Sequence, residues 1–329
     1  MSQSTPVETM TAIAVEGGKG PAEALHPARI ARPVPAAGQI LIRVRAAGLN
    51  RADIVQRQGF YPPPAGSPDT LGLEVAGEVA AAAGRWKAGD RVCALLGGGG
   101  YAEYAACDAR HALPIPDGFS FEEAAGLPEA VITVYANVFE HGGLKAGETL
   151  MIHGATSGIG TTAIQMAKAA GARVIATSRG AAKAAQATAL GADVSIDVTA
   201  EDFAQVAKRE GGVDVILEMV GGDYFAKDLD ALKTGGRIVF IAAQGGGEIT
   251  VPVFRLMQKR AVVTGSTLRA RDDDEKARLT VAVEQVVWPW IAAGKLRPQI
   301  DAAFPLEQAA QAHARLEAGA HLGKVVLTS

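Results

Sequence analysis

The run Thr149-Leu-Met-Ile-His-Gly-Ala-Thr-Ser-Gly-Ile-Gly160 carries an apolar strand pattern into a glycine-rich turn. The helix-forming stretch Thr161-Thr-Ala-Ile-Gln-Met-Ala-Lys-Ala-Ala170 follows, closed by Gly171. Phosphate chemistry suits this order. Glycines let backbone N–H groups approach a pyrophosphate, and a helix N-terminus supplies about half a positive charge. The spacing Gly154-x-x-x-Gly158-x-Gly160 departs from the commoner G-x-G-x-x-G. The signal therefore lies in the strand–turn–helix context rather than in the glycine pattern. A tight turn with no ligand would use the same residues, but strands and helices keep alternating beyond it, which favours a dinucleotide.

The end of the next strand addresses which dinucleotide. A site for a free ribose 2′-hydroxyl usually places Asp or Glu about 20 residues past the turn. Here the chain reads Thr177-Ser178-Arg179-Gly180, with Lys183 one helical turn on and no carboxylate among them. A hydroxyl, a guanidinium and an ammonium suit a 2′-phosphate, so NADPH is expected over NADH. Each charge-assisted hydrogen bond is worth roughly 1.5–3 kcal/mol. A solvated helix start would show the same two cations.

Other chemistry is sparse. Cys93 and Cys107 can build neither a disulfide framework nor a four-thiolate zinc site. His153 reads as a strand-end residue beneath the turn, and His111, His141, His313 and His321 show no site spacing. A short-chain dehydrogenase, suggested by Ser157-Gly-Ile-Gly160, is excluded because the turn lies mid-chain and no Tyr-x-x-x-Lys follows it.

The elements that must hold these residues fall into two textures. From Thr9 to about Leu113 the chain reads as short strands and Gly/Pro loops. Ile40, Ile42 and Val44 alternate with Arg43 and Arg45, the period of a half-buried strand. Glu74–Ala82, Asp90–Leu95 and Tyr101–Cys107 are further strands of a small, partly open β-barrel. Ser120 and Glu123 form a capping box, and a helix is expected from Pro128 to about His141. Strands at Thr149–His153, Arg173–Thr177, Val194–Ile196, Asp214–Met219, Arg237–Ala242 and Ala261–Thr267 then alternate with helices, the rhythm of a parallel sheet covered on both faces. A helix over Asp272–Ala293, a strand at Ala302–Phe304, a helix over Leu306–Ala318 and a strand at Lys324–Leu327 would return to the first domain.

The 329 residues are a prior for about two domains. Apolar residues at 48% and charged residues at 20% exclude a disordered chain. A net charge of −3 and 5% aromatics argue against nucleic-acid and membrane-surface binding. Met1–Thr11 lacks a basic region followed by an apolar core, and no apolar run approaches the ~20 residues that span a bilayer. A cytoplasmic protein is expected.

Five segments carry a family resemblance. They are Ala47-Gly-Leu-Asn-Arg-Ala-Asp-Ile-Val-Gln-Arg-Gln-Gly59, Tyr61-Pro-Pro-Pro64, Leu71-Gly-Leu-Glu-Val-Ala-Gly77, Leu127-Pro-Glu-Ala130 and Ser266-Thr-Leu-Arg-Ala-Arg-Asp272. From about Thr9 to Leu327 the chain resembles the medium-chain dehydrogenase/reductase superfamily. Within it, the chain is most similar to the ζ-crystallin-like quinone oxidoreductases, those inducible by a tumour suppressor above all. The resemblance implies an α/β fold. A GroES-like, partly open β-barrel domain would take residues 1–127 and 271–329, and a Rossmann doubly wound parallel sheet residues 128–270. It also implies a homodimer in which the strand Ala261–Thr267 pairs with its twin.

The resemblance assigns roles residue by residue. Asn50 and Tyr61 match positions facing the nicotinamide cleft and are expected to bind the acceptor carbonyl; a helix cap for Asn50 and a loop aromatic packed on Pro62-Pro63-Pro64 for Tyr61 are the competing readings. Thr133 matches a contact to the cofactor phosphate or ribose, and Ser157, Gly158 and Ile159 match the pyrophosphate turn. Ser178, Arg179 and Lys183 lie where the family holds the 2′-phosphate. Ala242, Ala243, Gln244 and Gly245, with Ser266, Leu268 and Arg269, match segments flanking the nicotinamide. Val198, beside Asp197, stands where relatives often place a tyrosine. Zinc-dependent members carry a cysteine and a Gly-His-Glu where this chain has Asn50-Arg51-Ala52-Asp53 and Gly72-Leu73-Glu74, and the four-cysteine lobe is missing, so no metal is expected. Three activities fit: quinone reduction, enone or 2-alkenal reduction, and NADPH binding of the crystallin type with little turnover.

Overall fold

The computed structural model describes residues 8–329. Residues 1–7, part of the Met1–Thr11 stretch read for a leader, lie outside the described residues. Packing divides the chain into two units. One holds the chain through Glu129 together with Arg269–Glu284 and Pro298–Ser329; the other holds Ala130–Leu268 and Gln285–Arg297.

The first unit opens with the antiparallel hairpin β1 (Thr9–Val15) and β2 (Leu25–Ala31). Then come β3 (Gln39–Gly48), α1 (Arg51–Arg57), β4 (Glu74–Ala81), β5 (Arg91–Leu95), β6 (Tyr104–Asp108), β7 (Ala112–Pro114) and α2 (Phe121–Ala125). In β3 the expected alternation holds: Ile40, Ile42 and Val44 are buried, Arg43 is exposed, and Arg45 pairs with Glu78 across the sheet at 2.7 Å. The capping box that opens α2 is present with both of its hydrogen bonds, at 3.0 and 3.2 Å.

The helix expected over Pro128–His141 divides. Its first half is α3 (Pro128–Val134), and the second half, Tyr135–His141, is wound as a π-helix closed by a bond from the Gly142 N–H to the Asn137 carbonyl. The alternation that follows is β8 (Thr149–Ile152), α4 (Gly158–Ala169), β9 (Arg173–Ser178), α5 (Ala181–Ala189), β10 (Val194–Asp197), α6 (Phe203–Arg209), β11 (Val213–Glu218), α7 (Tyr224–Ala231), β12 (Leu232–Phe240), α8 (Val253–Lys259) and β13 (Val262–Gly265). All the strand pairings are parallel, in the order β10-β9-β8-β11-β12-β13. The order reverses direction between β8 and β11, and the turn read from the sequence leaves β8 at that switch point. Ligands of doubly wound sheets bind there. Helix α8 was not expected from the sequence.

The tail supplies α9 (Asp273–Ala292), β14 (Ile300–Pro305), α10 (Ala309–Glu317) and β15 (Lys324–Thr328). Strands β14 and β15 join the first unit's sheet, whose order is β14-β15-β3-β4-β5-β7 with β6 also on β3. The tail does not stay with that unit throughout. Gln285–Arg297 packs with the second unit, because Trp290 meets the Phe139 ring at 5.9 Å and the Gln165 amide bonds the backbone of Arg297 in both directions.

Candidate functional site

In the second unit the turn after β8 opens onto the capped N-terminus of α4. Ser157 is the N-cap of α4. Its hydroxyl accepts from the Gly160 N–H at 3.0 Å and donates to the Gly154 carbonyl at 2.8 Å. Ser157, Gly158 and Ile159 are partly exposed. Two glycines are required by geometry. Gly154 has φ +68°, a conformation that costs other residues dearly, and a Cβ on Gly160 would lie 2.4 Å from the Gly154 carbonyl oxygen.

At the end of β9, Ser178 is buried and its hydroxyl oxygen has no hydrogen-bond partner. Arg179 is exposed and Lys183 partly buried. Burial, and then the neighbouring Arg179, pull the Lys183 ammonium below its usual range. Asp197 is turned to the neighbouring loop. Asp197 accepts from the Gly180 N–H at 2.8 Å and from the Thr199 hydroxyl and N–H at 2.7 and 3.0 Å. These bonds, the Thr199 hydroxyl's first, hold it below the ordinary carboxylate range. Asp197 thus fixes the loop, and Val198 packs against the core.

Thr133 and Ser266, distant in sequence, are joined by Asn137. The Asn137 amide donates to the Thr133 carbonyl at 2.9 Å and accepts from the Ser266 hydroxyl at 2.7 Å. Asn137 was missed by sequence reasoning, although it stands four residues beyond Thr133 on the same helical face. Ala242, Ala243 and Ser266 line a cavity of about 580 Å3 with Gly221, Phe240 and Thr267. Gln244 and Gly245 instead bond back to the loop after β11 through their N–H groups, and Leu268 is buried.

The first unit gathers Asn50, Tyr61 and Arg269 with residues the sequence did not single out. Asn50 is the N-cap of α1, but its side chain is turned into a buried ionic network. The amide donates to Glu74 at 3.0 Å and accepts from Lys324 at 2.8 Å. Glu74 is completely buried; it pairs with the buried Lys324 and also accepts from the Glu129 N–H at 2.9 Å. Both ends of the Asn50 amide are therefore committed, which makes it a holder of the site floor rather than a free carbonyl ligand.

Below this network runs a one-way chain. Arg57 can only donate, so His313 Nδ1 accepts at 3.1 Å and Nε2 carries the ring proton. That proton is donated to the Tyr101 hydroxyl at 3.2 Å, and Tyr101 donates to Asp53 at 3.1 Å. Burial drives His313 down to about 3, consistent with a neutral ring. Burial raises Asp53 to about 6 against the bonds it accepts from the N–H groups of Asn50 and Gly72.

Tyr61 is half-buried, with the Arg269 guanidinium 5.4 Å from its ring centre. Desolvation and then Glu129 raise its phenol above the usual value, against Arg269. Arg269 donates twice to the Gly97 carbonyl, at 2.7 and 2.9 Å, while its third nitrogen, Nη1, is buried without an acceptor.

His153, read as a strand-end residue, is completely buried between Thr177 and Asp228, 2.8 Å from each, with Glu218 at 3.8 Å. Among the described residues His153, Glu218 and Asp228 form the one cluster with metal-ligand spacing. His153 and Asp228 hydrogen-bond each other, Glu218 accepts from the Val220 and Gly221 N–H groups, and burial raises both carboxyls to about 7. Cys93 and Cys107 are buried free thiols pushed upward by desolvation, far from the thiolate that would bind metal.

A phosphate cradle at a switch point and a polar corner in a separate sheet unit define a dinucleotide-dependent oxidoreductase architecture. Residues 36–117 match the alcohol dehydrogenase GroES-like domain, and 190–327 match the zinc-binding dehydrogenase family. The quinone oxidoreductase of Lama guanicoe is 32% identical, covering 98% of this chain and 99% of its own length. The Escherichia coli quinone oxidoreductase complexed with NADPH superposes with a TM-score of 0.87 at 30% identity, over 97% of this chain and all of that one. An NAD-dependent alcohol dehydrogenase superposes with a TM-score of 0.86, also at 30% identity, over 97% of this chain and 99% of its own. The chain belongs to the quinone oxidoreductase branch of the medium-chain dehydrogenase/reductase superfamily.

Zinc, which one matching family is named for, does not fit here. Leu73 is a buried hydrocarbon, Glu74 is already neutralised by the Lys324 ammonium, and Asn50 is tied to both. No thiolate or imidazole joins that donor set, and zinc sites are built from those ligands.

Proposed function

We propose that this protein is an NADPH-dependent oxidoreductase that reduces quinones without a metal. The observation carrying the cofactor half is the end of β9. Arg179 is exposed there beside the buried Ser178 hydroxyl, whose oxygen has no hydrogen-bond partner, while Asp197 is turned to the Gly180 and Thr199 N–H groups and the Thr199 hydroxyl. A relative that holds NADPH and another described as NAD-dependent share this fold, so the local charge decides between them. Bound NADPH supplies a hydride. Ser157, Gly158 and Ile159 hold its pyrophosphate, Arg179 and Lys183 hold the 2′-phosphate, and Thr133, Ala242, Ala243 and Ser266 hold the nicotinamide side. Gln244, Gly245 and Leu268 shape those segments from behind.

The acceptor half rests on relatives named quinone oxidoreductase and on the Tyr61–Arg269 corner. A quinone is activated by its own conjugated carbonyls. The protein's task is then to position the acceptor within about 3–3.5 Å of the hydride and to exclude bulk water. Tyr61 serves as the hydrogen-bonding positioner, with Asn50 fixed behind it. The test is the loss of NADPH absorbance against several quinones, with NADH as control. Tight NADPH binding with no acceptor reduced would favour the crystallin-type reading, and equal efficiency with NADH would refute the cofactor assignment.

The same chain is proposed to work as a homodimer. Strand β13 is the sheet edge, and Val262 and Val263 on it are exposed, as are Val253, Phe254 and Met257 on α8. An uncovered apolar edge strand is a liability that pairing with a twin removes. A cytoplasmic location agrees with the free thiols, and no helix among the described residues is long and apolar enough to cross a membrane.

A further inference from the structure

We propose that Glu218 and Asp228 share one buried proton that keeps the glycine loop after β11 seated at the nucleotide cavity, so that nucleotide binding weakens when the proton is lost; this rests on the nucleotide-binding reading above. His153 Nδ1 meets the Thr177 hydroxyl and Nε2 meets Asp228 Oδ1, each at 2.8 Å. Burial holds the imidazole below its usual range, so the ring is neutral. Glu218 Oε1 accepts from the Val220 and Gly221 N–H groups. The remaining oxygens, Glu218 Oε2 and Asp228 Oδ2, are buried with no donor. Yet the two side chains stand within hydrogen-bond reach of each other. Ionised carboxylates only accept, so that contact needs a proton on one of them.

The groups around the pair bring no cation to it. Lys227 of α7 is turned to Asp202 at 2.9 Å, and Arg179, just past β9, is exposed. Tyr224 of α7 and Phe203 of α6 close on the His153 ring edge-on, at 5.1 and 4.8 Å. His153, Tyr224, Lys227 and Arg179 are thus the titratable and charged groups that face the two carboxyls or their tyrosine neighbour. A buried carboxylate without a cation neutralises itself by keeping a proton. Burial accordingly raises both carboxyls to about 7, and the pair gives up its last proton as a unit.

Glu218 closes β11, and its grip extends to the cavity wall. The Val220 carbonyl accepts from the Gly245 N–H at 2.6 Å, and the Met219 carbonyl accepts from Gln244 at 3.1 Å. Gly221, at φ +73°, lies so close to the next loop that a Cβ would stand 2.5 Å from the Gly246 carbonyl oxygen. Gly221 and Gly246 line the cavity together with Ala242, Ala243 and Ser266. Removing the proton sets two negative charges side by side in a dry site. The carboxyls then part, and the loop that Glu218 holds moves with it. Glu218 is in this sense a positioning residue.

The test is fluorescence titration of the full-length protein with NADPH and with NADH at stepped pH. Affinity for both should be greatest in mild acid. It should weaken by roughly tenfold per pH unit once the last proton has gone, because only the protonated fraction binds. NADH controls for ionisation of the 2′-phosphate. Asp228→Asn puts a fixed N–H donor opposite Glu218 and should remove the alkaline weakening; Glu218→Gln supplies the donor from the other side and should do the same. Independently of binding, one component of the protonated-carboxyl infrared band should be present in the wild type at neutral pH and missing from Asp228→Asn. Wild-type affinity for NADH that stays flat as pH rises beyond about 7, a measurement that needs no variant to fold, overturns the proposal. So does weakening that persists in both amide variants, an infrared band unchanged in Asp228→Asn, or a stoichiometric divalent metal in the purified protein, which would neutralise the carboxylates in the proton's place. A protein that binds neither nucleotide at any pH overturns the nucleotide-binding reading beneath it.

Discussion

Replacing Lys324 with Met should cost far more than one surface charge would. Lys324 Nζ pairs with Glu74 and donates to the Leu49 carbonyl and the Asn50 amide oxygen, each at 2.8 Å; Lys324 is 5% exposed and Glu74 0%. Methionine fits the aliphatic stem but leaves a carboxylate buried with two neutral donors, Asn50 and the Glu129 N–H. Breaking one side of a buried pair costs about 3–5 kcal/mol. For a unit of this size each kcal/mol lowers Tm by roughly 2–4 °C, so the expected fall is about 6–20 °C. Glu74→Gln/Lys324→Met removes both charges while keeping an acceptor for Glu129 and Asn50, and should recover more than half of the loss. Urea denaturation followed by far-ultraviolet circular dichroism measures both. A single variant losing less than about 1 kcal/mol, or a double variant no better than the single, would refute the idea that this carboxylate is dry and dependent on its ammonium.

Arg179→Ala should weaken NADPH by roughly 10- to 100-fold while leaving NADH nearly unchanged, as loss of one charge-assisted bond to a 2′-phosphate requires; fluorescence titration with both nucleotides reads it. Gly160→Ala drives a methyl into the Gly154 carbonyl and should abolish nucleotide binding, checked by the same titration. Asp53 is raised to about 6, so the folded chain holds that proton more tightly than the unfolded one. Its contribution is greatest below about pH 4 and is withdrawn as pH rises through 6, by about 3 kcal/mol, and Asp53→Asn should flatten that slope in urea denaturation at stepped pH. Phe254→Asp with Val263→Lys should turn a sedimenting dimer into a monomer; an unchanged sedimentation coefficient would place the interface elsewhere.

What the chain declares locally, it declares well. The alternation in β3, the Ser120–Glu123 box and the strand–turn–helix around Ser157 each rest on residues within a dozen positions of one another, where period and capping chemistry act directly. The polar heart of the first unit is not local. Glu74 meets Lys324 from the far end of the sequence, and Arg57 meets His313 across a similar distance. No spacing rule links such partners, so His313 looked idle although it orders a buried chain. Asn50 could be picked out by type, but its partners decide whether its amide is free, and they come from β4 and β15. Helix α8 was missed because Val253, Phe254 and Met257 are apolar yet exposed, a pattern that one chain alone does not explain.

The π-wound stretch after α3 fixes a phase. From Tyr135 to His141 the backbone bonds run five residues back rather than four, as from Gly142 to Asn137. The surplus residue sets the azimuth at which Asn137 leaves the helix to clasp Thr133 on one side and Ser266 on the other. Excising a single residue there would rewind the segment to ordinary pitch and swing the side chains on one flank by about 100° relative to the other. The clasp would open although Thr133, Asn137 and Ser266 were all still in the chain. Along this stretch, other than at Asn137 itself, the number of residues matters to the clasp as much as their identity.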